Sequence, residues 1–312
     1  MFKNFYIRPF SQQFLPIVSK NINHKFSHNL KIHNGRKLST ISQIMSKKAF
    51  KLRYISDLHL EFYHIHKLPL PQIEPESTTD CIALCGDIGN PSFPNYKEFL
   101  SNMATKFSKV FLISGNHEYY QIFNKNEKLD IDKTDQLINE LCSSFNNVYY
   151  LNNNSYQLTD KLTIIGTTLW SNIFENHEMI SRYMNDYNCI YIGNRLFNIN
   201  DSTRLNYINS QWIESQISEA QQKGKKLIVL THHMPSYKMI IPKYTGHFAS
   251  CCFANHLDKL IRDPIIIWLC GHSHCCVENN INGIYCGINA VGYLKEKTGY
   301  ELNKYIEVAS DE

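Results

Sequence analysis

The chain has 312 residues, 43% hydrophobic and 19% charged, which is apolar enough for a sizeable core and excludes a disordered polymer. Its formal charge of +4 comes from the start: residues 1–50 hold nine Lys or Arg and no Asp or Glu, and the remainder is net acidic. That balance argues against a broad surface for nucleic-acid phosphates, and no apolar run approaches the ~18 residues of a membrane-spanning helix.

Residues 1–48 form a basic, acid-free extension with the composition of a mitochondrial transit peptide, and "GRKLSTIS" (35–42) is placed like its processing site. A plain basic tail, or a translation start at Met45 that leaves the protein in the cytoplasm, fits the same residues. From residue 49 to 312 a single domain is expected. Apolar runs recur along it: "KLRYIS" (51–56), "CIALC" (81–85), "KVFLIS" (109–114), "LTIIGTTLW" (162–170), "KLIVLT" (226–231) and "PIIIWLC" (264–270). Continuous apolar runs without alternation suit strands buried on both faces. Helix-compatible segments lie between them, over 95–107, 133–145, 203–224 and 254–263. Asp201 and Ser202 can cap the third, and Gly224 can stop it. Strands alternating with helices predict an α/β fold. The ten cysteines, several inside apolar runs, read as reduced thiols.

The residues just after five of these runs carry chemistry. The first run leads into Asp57-Leu58-His59, the second into Gly86-Asp87, and the third into Gly115-Asn116-His117-Glu118. The fifth leads into His232-His233-Met234-Pro235, and the sixth into Gly271-His272-Ser273-His274. Open α/β sheets bind ligands at the carboxyl ends of their strands, so these residues are expected to converge. Carboxylate, imidazole and amide oxygen suit Zn, Mn or Fe. Seven such ligands are too many for one tetrahedral ion and fit two ions sharing a carboxylate. Gly86, Gly115 and Gly271 sit where the chain must turn or approach a ligand closely.

The ordered blocks D-x-H, G-D, G-N-H-E, H-H-x-P and G-H-x-H resemble those of the calcineurin-like metallophosphoesterase superfamily, over roughly residues 51–292. The resemblance implies an α/β/β/α sandwich of two mixed β-sheets flanked by helices. It implies one metal ion on Asp57, His59, Asp87 and His274, and a second on Asp87, Asn116, His232 and His272. Position after the strand favours His232 as the lone histidine ligand, whereas an H-x-P spacing favours His233. His117 corresponds to the family's catalytic histidine beside the leaving group, and the nucleophile is expected to be a hydroxide bridging the ions. The expected activity is hydrolysis of a phosphomonoester or phosphodiester, with a small phosphate ester as substrate. A catalytically inactive scaffold for protein partners is the alternative on the same fold.

Other features are left outside this constellation. His64 and His66 are expected on a surface loop, and "YMNDYNCI" (183–190) offers Asn185 or Asp186 to order a loop. The segment "HFASCCFANHLDKL" (247–260) lies between two ligand blocks and could reach over the site. The dense "CGHSHCC" stretch lacks the second ligand pair of a zinc knot. Its Cys275 is close enough to the histidines to act as a competing soft ligand.

Overall fold

The computed structural model describes residues 49–122 and 128–309; the extension expected over 1–48 lies outside them. The first half of the described chain runs β1 (Ala49–Ile55), α1 (Leu60–Ile65), β2 (Cys81–Cys85), α2 (Pro94–Lys106), β3 (Lys109–Ile113), α3 (Ile131–Ser143) and β4 (Val148–Tyr150). Then come β5 (Asn154–Gln157), β6 (Leu162–Thr167), α4 (His177–Tyr183), α5 (Asp186–Cys189), β7 (Tyr191–Ile192), β8 (Arg195–Leu196) and α6 (Ile199–Lys223). The last stretch holds β9 (Lys226–Thr231), β10 (Ile265–Cys270), β11 (Val277–Ile281), β12 (Ile284–Ile288) and β13 (Tyr305–Ala309). Each of the six apolar runs is a strand.

One sheet has the order β13-β1-β2-β3-β4 and the other β11-β12-β10-β9-β6-β5, with a small β7-β8 ribbon apart. Pairing is parallel through β1-β2-β3-β4 and through β12-β10-β9-β6, and antiparallel where β13, β11 and β5 are added. Side-chain alternation explains why the central strands are apolar throughout. Ala83, Cys85, Phe111, Ile228, Leu230 and Leu269 fill the space between the sheets. Their neighbours Ile82, Leu84 and Leu112 face α2 and α3, while Leu227 and Val229 face Ile213 and Ile217 of α6. The result is the expected α/β/β/α sandwich of two mixed sheets. Truncating one of these core leucines to Ala costs ~2–5 kcal/mol.

Two helix expectations change. Helix α6 starts earlier than Asp201, because Asn198 is its cap. The Asn198 side chain accepts from Asn200 N and Asp201 N, and Asp201 Oδ2 accepts from Asn198 N at 3.0 Å, a reciprocal capping box. Gly224 closes the helix with φ 62°. Residues 254–263 form turns, not a helix. Their backbone is committed elsewhere: Ala254 bridges Met234, Asn255 N donates to Met234 O at 2.9 Å, and Leu257 N donates to Pro235 O at 2.9 Å.

No helix among the described residues is long and apolar enough to cross a membrane.

Candidate metal centre

The carboxyl ends of β1, β2, β3, β9 and β10 bring their following loops together at one edge of the sandwich. The chain turns sharply there. Asp57 (φ 55°), His59 (φ 53°), Asp87 (φ 54°), His272 (φ 71°) and His274 (φ 49°) all have left-handed backbone, a region few non-glycine residues visit. Cross-loop hydrogen bonds hold them in it. Asp57 N donates to Gly86 O at 3.0 Å, and His59 N donates to Asp87 O at 2.9 Å. His272 N donates to the Asp57 carboxylate oxygens at 3.0 and 3.1 Å. The glycines allow the approach. A Cβ on Gly115 would lie 2.2 Å from Asp87 Oδ1, and one on Gly86 would lie 2.5 Å from His232 Nδ1.

Three buried donor groups result among the described residues: His59, Glu61 and His117 make a small one, and the other two share Asp87. Asp57, His59, Asp87 and His274 form one, while Asp87, His232 and His272 form the other, with ligand atoms in each group within 4.8 Å of one another. Asn116 joins the second group, its Oδ1 3.2 Å from His232 Nε2. His232 Nε2 also lies 3.3 Å from Asp87 Oδ2, and its Nδ1 donates to Cys85 O at 2.9 Å. The neighbouring His233 turns away: its Nδ1 faces Thr168 O, and its ring packs against those of Trp170 and His272.

The donor chemistry fits metal cations. His59 Nδ1 donates to Glu61 Oε1 at 3.0 Å and His274 Nδ1 to Glu296 Oε2 at 2.7 Å. These carboxylates leave the Nε2 atoms of the two rings facing each other at 3.0 Å, with His274 Nε2 3.5 Å from Asp57 Oδ1. A shared cation satisfies both nitrogen lone pairs and the carboxylate at once. In the second group, His272 Nε2 donates to Cys252 O at 3.2 Å, which leaves its Nδ1 for an ion. Asp87 also draws positive charge. Burial pulls His117 and His232 down, yet the Asp87 carboxylate outweighs it and lifts them to about 9 and about 10.

His117 lies beside both groups. Its backbone N donates to Asp87 Oδ1 at 2.8 Å, its Nδ1 to Glu61 Oε1 at 3.0 Å, and its Nε2 is 3.2 Å from Tyr293 Oη. Its ring stacks on Tyr120 at 4.2 Å. The adjoining cleft, a cavity of ≈ 40 Å³, is lined by Asp87, Asn116 and His117 together with Met184, Asn185 and Phe253.

Four acidic residues given no ligand or catalytic role from the sequence frame the centre, and one of them, Asp186, was expected only to order a loop. Glu61 Oε1 accepts from both His59 and His117, while its Oε2 has no partner among the described residues. Glu118 accepts backbone N–H bonds from Asp87, Ile88 and Gly115 at 2.8–3.0 Å and so ties two ligand loops together. Asp186 Oδ1 accepts from Asn116 Nδ2 at 2.9 Å and Tyr120 Oη at 2.6 Å, which fixes the amide with its oxygen towards His232. Glu296 orients His274. Glu61 and Glu118 stand within or beside the D-x-H and G-N-H blocks, where adjacency is a usable signal; nothing local marks Glu296.

The segment 247–260 does reach the centre, through Cys252 O and through the Phe253 ring stacked 4.7 Å from that of His272. His64 and His66 are exposed as expected, but His64 stands in the last turn of α1 and His66 caps it, so they lie on a short helix and not on a loop. Cys275 does not behave as a ligand. Burial pushes its thiol up to about 12, it faces an apolar cavity, and no cysteine joins a donor group among the described residues. All ten cysteines are free thiols.

Comparison with known proteins agrees with this architecture. The family model described as calcineurin-like phosphoesterase matches residues 50–276. An uncharacterised protein of Acanthamoeba polyphaga mimivirus is 36% identical over 276 residues, covering 82% of this chain and 96% of that protein. The crystal structure of a phosphopantetheinyl hydrolase from Mycobacterium tuberculosis superposes with a TM-score of 0.58 at 16% identity, covering 84% of this chain and 96% of its own, which is a likeness of fold. With the matched segment spanning every block that carries a donor residue, the chain belongs to the calcineurin-like phosphoesterase family.

Proposed function

We propose that the chain hydrolyses small phosphate esters using two metal ions, Mn, Fe or Zn, bound in the two donor groups that share Asp87. Asp57, His59, Asp87 and His274 hold one ion; Asp87, Asn116, His232 and His272 hold the other. The observation that carries this reading is the placement of Asp87 in both groups with His117 hydrogen-bonded to it. Bound there, such ions would supply Lewis acidity to phosphate oxygens and a water of lowered pKa.

The chain's own residues do the rest. Burial pulls the His117 pKa down, and the Asp87 and Glu61 carboxylates beside it raise it above the usual histidine value. With Nδ1 committed to Glu61, the Nε2 proton beside Tyr293 is the one available to a leaving alkoxide. Tyr120 beneath the ring and Glu61 behind it hold that orientation. Asp186 keeps the Asn116 oxygen turned inward. The confined cleft suits a small ester better than a folded protein substrate.

The test is His117→Ala assayed on two esters of different leaving-group basicity. An alkyl phosphate, whose alkoxide needs a proton, is expected to lose ~10²–10⁴-fold in turnover, and p-nitrophenyl phosphate much less. Equal losses on both would contradict the acid role. No hydrolysis by the wild-type chain across mono- and diesters would contradict the function and favour the scaffold.

A further inference from the structure

Beside the metal centre lies a second cavity of opposite character. Phe253 borders both: it lines the polar cleft and also this slot, and its ring stacks on His272. Two more walls come from ligand-bearing segments, since Met234 follows His233 and Ser273 separates His272 from His274. The far side is Ile240, Ile241, Tyr244 and Ala249.

The polar side chains in the lining already have partners. Ser250 Oγ donates to Tyr244 O at 3.1 Å, Ser273 Oγ donates to Cys275 O at 3.4 Å, and His247 Nδ1 accepts from Ala249 N at 3.2 Å. A sugar or peptide placed here would lose its water without gaining equivalent hydrogen bonds, whereas an alkyl group loses nothing. The slot is also narrow, with a cavity volume of ≈ 10 Å³, about one water position. A chain therefore enters by parting the walls, and one of them, Ile240, Ile241 and Tyr244, lies at the junction and far end of two short 3-10 turns, Tyr237–Met239 and Pro242–Tyr244, which are easier to displace than helix or strand.

We infer that this slot receives the leaving group of the substrate, and that the preferred substrate is the phosphate ester of a slender, apolar alcohol. Phosphate at the polar cleft and alkyl chain in the adjoining slot match the two cavities in chemistry and in order. The inference rests on the phosphoesterase reading for the placement of the phosphate.

The experiment compares methyl, ethyl, propyl and butyl phosphate with the full chain loaded with Mn²⁺. Their alkoxides have similar basicity, so the chemistry is held constant while apolar length grows. The slot predicts that kcat/KM rises about fourfold per methylene. Ala249→Leu, which fills the slot, should flatten the series and leave methyl phosphate unchanged. Ile241→Ala, which widens it, should shift the optimum to longer chains. Calorimetry with the matching alkylphosphonates reads the same dependence without catalysis, as a Kd falling about fourfold per methylene. A flat series in both assays would overturn the slot, as would a rising one that Ala249→Leu leaves intact. Tightening phosphonates with no turnover would overturn the hydrolase reading and keep the slot; turnover with no length dependence would do the reverse.

Discussion

Glu61 offers the sharpest perturbation of the centre. One fully buried carboxylate oxygen accepts from a proposed metal ligand, His59, and from the proposed acid, His117, both at 3.0 Å. Burial raises its pKa and the two imidazoles lower it further, to about 2, so it is ionised at neutral pH. Glu61→Ala leaves two buried Nδ1–H donors without an acceptor, at ~1–3 kcal/mol each. Removing a buried carboxylate whose second oxygen has no partner among the described residues offsets part of that. The rings also become free to rotate, and losing such a partner behind a ligand typically lowers metal affinity about 10–100-fold. Glu61→Gln keeps a carbonyl oxygen in the same place and replaces the unpartnered Oε2 with NH₂, so both rings can still donate to it. The expected order is wild type, then Gln, then Ala, in Mn²⁺ affinity by calorimetry and in turnover. Nitrogen NMR of the metal-free chain should show the Nδ1–H tautomer of His59 kept in Gln and lost in Ala. An Ala variant that binds Mn²⁺ as tightly as wild type and turns over as fast would refute this role for Glu61.

Two further substitutions probe the supporting contacts. Gly115→Ala places a methyl group 2.2 Å from Asp87 Oδ1 and 2.7 Å from the Asp87 backbone N and His232 Cε1, so the loops must shift. Mn²⁺ affinity should fall at least tenfold, and thermal unfolding should show a loss of ~1–3 kcal/mol. Asp186→Ala removes the acceptor that fixes the Asn116 amide. It should weaken one Mn²⁺ by ~10–100-fold and spare the other, giving a biphasic titration, with Asp186→Asn closer to wild type; equal weakening of both ions would argue against it.

How much of this could be read in the sequence depends on the job each residue does. Strands buried on both faces must be apolar throughout, so β1, β2, β3, β6, β9 and β10 stand out, and the polar residues that end them mark the site. Edge strands carry weaker patterns. β11 is half-buried and exposed in turn until Ile281, and β13 is recognisable only by its pairing with β1. The β11-β12 hairpin did carry a signal, the Asn282-Gly283 pair with φ 55° and 85°, the residues such a turn requires. The 254–263 segment has helical composition, and tertiary hydrogen bonds to Met234 and Pro235 override it. Ligand candidates are recognisable because their chemistry is local to a strand end. The carboxylates behind them act through contacts far apart in sequence. Asp186 lies 70 positions from Asn116 and Glu296 lies 22 from His274, so only the folded chain reveals the pairing.

The central claim is tested most directly by counting metal and turnover on one sample. The full chain is stripped of metal, reloaded with Mn²⁺, and assayed for phosphate release from small esters while bound metal is measured. Two ions per chain are predicted, with hydrolysis that appears on reloading and is lost in Asp87→Asn together with bound metal. Hydrolysis that persists in the stripped chain, or two ions bound with no hydrolysis of any ester, would contradict it.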